Sequence, residues 1–176
     1  MESPPPPPAD PREGLRLLYL EHGPAVLRLL TRLVGDAAAA EDALQETFLR
    51  VNVDELDPAR SPLPYLLRIA RNLGIAALRR RAVRAQLRVG PAHTSEGPAA
   101  AAQRGEARER IQQALASLAP GLRAALLLRH DQKLSMKDLA TALGVSERTA
   151  RTRLRDASVS LARALRERGV FVGSDT

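Results

Sequence analysis

The stretch Ser135-Met136-Lys137-Asp138-Leu139-Ala140-Thr141-Ala142-Leu143-Gly144-Val145-Ser146, running on into Glu147-Arg148-Thr149-Ala150-Arg151-Thr152, decides how this chain is read. Ser135 with Asp138 three residues on resembles a capping box at a helix start. Leu139, Ala140 and Leu143 recur at helical spacing and would face inward. Gly144 permits a tight turn, Val145 packs beneath it, and Ser146 caps the next helix. Two helices joined in this way make a helix-turn-helix. In the second helix Ala150, Leu154, Ala157, Leu161 and Leu165 share one face, which leaves Arg148, Arg151, Thr152 and Arg155 on the other. That outer face begins at the helix N-terminus, where recognition helices meet base edges in the major groove. Arg can donate two hydrogen bonds to guanine, and Thr can contact bases or phosphate. An ordinary helical hairpin with a solvated basic face has the same pattern and is the competing reading.

Working outward, the rest of the chain also reads as helix. Before the turn motif, a helix over Arg108–Leu118 ends at Ala119-Pro120-Gly121, and a short apolar helix covers Leu122–Arg129. After it, the last helix continues to about Arg168. The segment from Gly90 to Gly105 holds Pro91, Gly97, Pro98 and four consecutive alanines without apolar periodicity, the composition of a flexible linker. In the first half, Leu18, Val26, Leu29, Leu30 and Leu33 define a helix over about Leu15–Val34, in which Pro24 marks a kink or a new start. Gly35 offers a C-cap position and Asp36 an N-cap. A second helix over about Ala37–Val53 has Ala40, Leu44, Phe48 and Val51 as its apolar stripe, with Glu41, Asp42, Gln45, Glu46 and Arg50 off it. Asp54–Pro64 is a loop broken by prolines. A third helix, from Pro64 to about Arg88, turns Leu66, Ile69, Ala70, Leu73 and Ala77 to the core and carries a strongly basic remainder. The expected class is all-α: two small helical domains on a flexible linker, the second containing the helix-turn-helix. The expected plan is a Pro-rich leader at 1–13, a first domain at 14–89, a linker at 90–107, a second domain at 108–168 and a tail at 169–176.

Composition agrees with that plan and narrows the partner. Only 2% of the 176 residues are aromatic, so the core must be built from Leu, Val, Ile and Ala. The net charge is +7, and it is unevenly placed. Residues 15–90 carry 12 basic and 8 acidic side chains, residues 108–168 carry 13 and 6, and the remaining ends and linker carry 2 and 6. Both folded-looking segments are therefore basic, which points to a polyanionic partner, although charge alone is equally compatible with solubility. The basic run Arg79-Arg80-Arg81 is either a solvated helix end or a track for phosphates.

Catalytic and metal chemistry find no foothold. There is no cysteine, hence no disulfide and no thiolate metal site. His22, His93 and His130 are scattered, with no metal-ligand spacing. No phosphate-cradling Gly-rich loop and no nucleophile setting is present. The expectation is a protein that is not an enzyme and has no cofactor. No apolar run approaches a membrane span and the start lacks the order of a signal peptide, so a cytoplasmic location without membrane insertion is expected.

Three further motifs carry a family resemblance. Asp42-Ala43-Leu44-Gln45-Glu46-Thr47-Phe48-Leu49-Arg50, then Tyr65-Leu66-Leu67-Arg68-Ile69-Ala70-Arg71-Asn72-Leu73 followed by Leu78-Arg79-Arg80-Arg81, then Leu126-Leu127-Leu128-Arg129 followed by Leu134–Val145 and Thr149–Leu154, resemble, in order and spacing, stretches of the extracytoplasmic-function (ECF) sigma factors of RNA polymerase. The resemblance runs over nearly all of Leu17–Leu165 apart from the linker. It implies a first domain that binds the clamp helices of core RNA polymerase and opens the −10 promoter element, and a second that reads the −35 element and packs on the polymerase flap. It assigns Asp42, Gln45, Glu46 and Arg50 to polymerase docking. It puts Asn72 near the −10 bases and leaves Arg68, Arg71 and Arg79 to hold the backbone there. It gives −35 reading to Arg148, Arg151, Thr152 and Arg155. It also implies an anti-sigma protein as a partner.

The chain departs from the family pattern at three places. Ala59 stands about where the loop that captures a flipped base usually has an aromatic, a stacking contribution of roughly 1–3 kcal/mol. Tyr65 replaces the Trp that begins the third helix, and Asp156 replaces a commonly basic position. Two rival readings follow: a stand-alone helix-turn-helix regulator that binds a palindrome as a dimer, against which the motif at Asp42–Arg50 argues, and a degenerate relative that only sequesters partners.

Overall fold

The computed structural model describes residues 11–53, 56–57, 60–87 and 102–169, and among these only helices and their connections occur. In order they are α1 (Pro11–Val34), α2 (Ala37–Leu49), α3 (Leu63–Leu87), α4 (Ala102–Ser117), α5 (Pro120–Leu126), which continues as a π-helical turn over Leu127–Asp131, α6 (Met136–Leu143) and α7 (Glu147–Glu167). The all-α expectation holds. Residues 1–10 of the Pro-rich leader, most of the proposed linker, the tail beyond Gly169 and Asp54, Glu55, Pro58 and Ala59 of the loop lie outside the described residues, while residues 11–13 of the leader belong to α1 and residues 102–107 of the linker to α4.

Local chemistry sets most helix ends. Gly35 takes a left-handed φ of 72°, closing α1 where a side chain would be strained. The Asp36 carboxylate then accepts from the Ala39 amide at 2.9 Å, capping α2. Helix α1 passes through Pro24 without a break, although Pro24 brings no N–H to the ladder. Its start is four residues earlier than the expected Leu15, at Pro11, a residue suited to a first helical turn. Helix α2 ends at Leu49 rather than near Val53, with the Arg50 amide folding back to the Glu46 and Thr47 carbonyls. Helix α4 starts at Ala102 rather than at Arg108.

The α1–α3 core is aliphatic. Val26, Leu29, Leu30 and Leu33 of α1 are fully buried against α2 and α3. From α2 come Ala40, Ala43, Leu44 and Phe48, and Phe48 meets Tyr19 edge-on at 5.0 Å between ring centroids. Thr47 is the buried polar member of that face, and its hydroxyl donates to the Ala43 carbonyl at 2.6 Å. A second cluster joins α4, α5 and α7 through Ala114, Leu118, Leu126, Ala157, Ala164 and Leu165.

The two helical sets do not stand apart. One hydrophobic cluster runs from Leu33, Leu67 and Ala70 of the first set to Leu128, Leu139 and Leu143 of the second. Helix α3 packs on α1 and α2 and also on α6. That double coverage accounts for Leu67, which is fully buried although it lies off the core face assigned from periodicity, while Ile69, Leu73 and Ala77 stay half-exposed.

Candidate DNA and polymerase interface

The helix-turn-helix forms as its residues dictate. The Ser135 hydroxyl accepts from the Asp138 amide at 3.1 Å and donates to the Asp138 carboxylate at 2.6 Å, starting α6. Leu139, Ala140, Ala142 and Leu143 are buried. Gly144 closes α6 at φ 63°, with its amide bonded to the Ala140 and Thr141 carbonyls. The Ser146 hydroxyl accepts from the Thr149 amide at 3.2 Å and opens α7. Ala150 and Ala157 seat that helix, and Arg148, Arg151, Thr152 and Arg155 are exposed on its other side. Their ties are weak and local: Arg151 faces Glu147 at 3.6 Å, and the Thr152 hydroxyl donates to the Arg148 carbonyl at 3.2 Å. A face held only by such contacts is free to exchange them for base edges or phosphates.

On α2, Glu41, Asp42, Gln45 and Arg50 are exposed and Glu46 is half-buried. Arg50 and Glu46 pair at 2.6 Å one turn apart. Leu49, beside them, is 77% exposed, an apolar side chain with no cover. Between α2 and α3 runs a groove with Asp42, Glu46 and Arg50 on one wall and Arg80, Arg81 and Arg84 on the other. Sequence periodicity singled out the charged members of this face but passed over Leu49, whose exposure only the packing reveals.

The basic face of α3 is in a different situation. Arg68, Asn72 and Arg79 are exposed, and Arg71 is half-buried. The Arg71 guanidinium donates to the Leu143 carbonyl at 2.9 Å and to the Asn72 side chain at 2.6 Å. Its Nε is buried without a hydrogen-bond partner. Burial first, and the positive charges of Arg153 and Arg68 after it, push this guanidinium below its ordinary pKa range, though a guanidinium remains charged. Arg68 lies against the turn: a Cβ at Gly144 would come within 3.2 Å of its Nε. So Arg68 and Arg71 abut the turn of the helix-turn-helix, and Arg79 lies two helical turns beyond them.

Arg123 was not singled out by its sequence, although a lone charge inside Leu122–Leu128 is a visible anomaly. It is 9% exposed. Its guanidinium donates to the Leu33 carbonyl at the end of α1 at 2.9 Å, to the Ala116 carbonyl, and to the Leu118 carbonyl at 3.4 Å. Burial lowers its pKa too. Arg32 pairs with Asp131, and the Gln132 side chain donates to the Ala25 carbonyl at 3.2 Å, both across the same boundary.

Among the described residues no group of three His, Asp or Glu side chains is placed to hold a metal. No described helix is long and apolar enough to cross a membrane.

Comparison with known proteins meets this geometry. The Sigma-70 region 2 family matches residues 18–84 and the Sigma-70, region 4 family matches residues 108–161. The ECF RNA polymerase sigma factor SigL of Mycobacterium tuberculosis (strain ATCC 25618 / H37Rv) is 37% identical over 166 residues, covering 89% of this chain and 91% of SigL. The chain belongs to the ECF sigma factors. Other relatives include the ECF RNA polymerase sigma factor SigW of Bacillus subtilis, 29% identical over 81% of this chain and 83% of its own length. The fold is shared with the sigma factor RpoE of Bartonella quintana, solved in complex with the anti-sigma factor NepR: TM-score 0.69, 22% identity, 88% of this chain and 98% of that one. It is shared as well with CnrH in complex with the cytosolic domain of CnrY: TM-score 0.64, 23% identity, 89% and 90% covered. As an ECF sigma factor the chain is a promoter-specific transcription initiation factor, and sigma factors are regulatory rather than catalytic proteins.

Proposed function

We propose that this sigma factor delivers core RNA polymerase to promoters by reading two DNA elements with separate domains, 14–89 and 108–168. The observation that carries the reading is the exposed N-terminal half of α7, where Arg148, Arg151, Thr152 and Arg155 project from a capped helix with only weak local ties. These four read the −35 element in the major groove. Arg68, Arg71, Asn72 and Arg79 of α3 hold the −10 region. Asp42, Gln45, Glu46 and Arg50 dock on the polymerase clamp helices, and the uncovered Leu49 supplies an apolar centre to a charged rim. The second domain also meets the polymerase flap.

The test is in vitro transcription with core polymerase and sequencing of the RNA ends. Start sites downstream of a shared pair of elements are expected. If a control sigma factor fires its promoters and this one fires none, the reading fails. Binding of an operator by the isolated chain as a dimer, without polymerase, would instead favour the stand-alone regulator.

A protein partner of the anti-sigma kind belongs to the same proposal. Support comes from the fold shared with the sigma factor RpoE, solved in complex with the anti-sigma factor NepR. Such a partner covers the surfaces used for polymerase. Purification from non-inducing cells without any stoichiometric partner would count against it. A cytoplasmic location and the lack of any enzymatic activity complete the reading.

A further inference from the structure

Beyond Arg155 the outer side of α7 is no longer a track for phosphates. Asp156 is exposed, and Val159, one turn on, is 64% exposed. A carboxylate repels a phosphate, and an isopropyl group offers it no donor. Asp156 nevertheless belongs to the reading face. At 3.6 residues per turn it lies about 40° from Thr152 on one side, as Arg155 lies about 60° from it on the other, with the buried Ala150 and Ala157 behind. Arg155 and Asp156 are therefore level with each other, each about 11 Å along the axis from Arg148.

The Asp156 carboxylate is also free. It has no hydrogen bond or ion pair among the described residues, although arginines precede and follow it on the same helix. Arg163, two turns on, pairs with Glu167 at 3.0 Å. Arg153, three residues back, is half-buried and sets its like charge against Arg71. Arg151 faces Glu147. The positions four residues to either side are Thr152 and Ser160, neither of them a cation. The one-turn ion pair that commonly accounts for an acid on a basic helix is missing here.

We propose that Asp156 is a specificity-determining residue that reads a cytosine in the −35 element. This rests on the −35 reading given to α7 above. In the major groove cytosine presents an amino donor with no acceptor beside it, the edge that suits a carboxylate. Adenine sets N7 next to its amino group, and guanine and thymine present acceptors, so each of these turns a lone pair toward Asp156. Arg155, on the opposite flank, prefers the acceptors of guanine. The two neighbours divide the face into an edge that takes acceptors and an edge that takes a donor. At a site without the cytosine the carboxylate stands among phosphates with nothing to accept from, so Asp156 rejects wrong sites as well as choosing the right one.

The full-length chain, assembled with core polymerase, is given a promoter that it fires with the −35 element randomised, and transcripts are counted by template sequence. The wild type should favour cytosine about tenfold at one position, the scale of a single base contact. Asp156→Ala should level that position and leave the others, with the helix intact because Ala suits it and no contact is lost. Asp156→Asn, which sets a donor beside the acceptor, should admit adenine there. If Asp156→Ala keeps every base frequency and instead raises output across the whole library, the carboxylate only repels phosphates and the proposal is overturned. A levelled position that had favoured any base but cytosine overturns it as well. Arg155→Ala tells the two readings apart. Where it levels a position of its own while Asp156→Ala levels none, α7 reads DNA and only the role of Asp156 is lost. Where neither variant levels any position, α7 is not the reader and the proposal falls with it.

Discussion

Substituting Gly144 by Ala tests the turn that joins the two helices of the helix-turn-helix. Gly144 holds φ at 63°, and its amide bonds the Ala140 and Thr141 carbonyls. The Val145 amide bonds the Ala140 carbonyl at 3.0 Å. An L side chain in this region costs roughly 1–2 kcal/mol. Part of that, about 0.4–1 kcal/mol, is returned because Ala restricts the unfolded chain more than Gly does. Gly35 supplies the control. Its φ is 72°, but a Cβ there meets nothing within 4 Å, whereas one at Gly144 lies 3.2 Å from the Arg68 Nε. Gly35→Ala should therefore cost up to about 1 kcal/mol, and Gly144→Ala about 1–2 kcal/mol, the excess coming from Arg68. Urea denaturation followed by circular dichroism measures both. In an Arg68→Ala background the excess should vanish, a coupling of about 0.5 kcal/mol or more. If Gly144→Ala unfolds at the wild-type urea concentration, or if the excess survives without Arg68, the account of this turn is wrong.

Three other outcomes follow from the same geometry. Arg151→Ala with Arg155→Ala should cut transcription from a −35-dependent promoter at least tenfold, at about 1–3 kcal/mol per lost base contact, with the thermal midpoint almost unmoved; equal output from the double variant would remove α7 from the reader. Glu46→Lys gives up only an exposed pair with Arg50, worth roughly 0.3–0.5 kcal/mol, so the fold should survive while affinity for core polymerase falls; unchanged co-sedimentation with core enzyme would refute the docking face. Ser146→Ala should lower stability by about 1 kcal/mol through loss of the cap on Thr149, checked by urea titration, and Ser146→Asp should retain it.

What the sequence determined by itself is what depends on neighbours along the chain. Gly35, Asp36, Ser135, Gly144 and Ser146 act within four residues, so helix ends and the helix-turn-helix were legible from residue type and spacing. The exposed rows on α2 and α7 were legible for the same reason, since a helix with one apolar face has only one place left for its charges. The family motifs added the link to polymerase. Packing between the helices, by contrast, settles which faces are covered and by what. Periodicity gives each helix one buried side, but α3 is covered on two, and so Leu67 is buried and Arg71 is turned onto Leu143. Arg123 was visible as an odd charge in an apolar run, yet its acceptor on Leu33 is 90 residues away and no local pattern encodes that pairing. Interactions that close over such distances depend on the fold of everything between, and it is these that set the helix-turn-helix against Arg68 and Arg71 of α3.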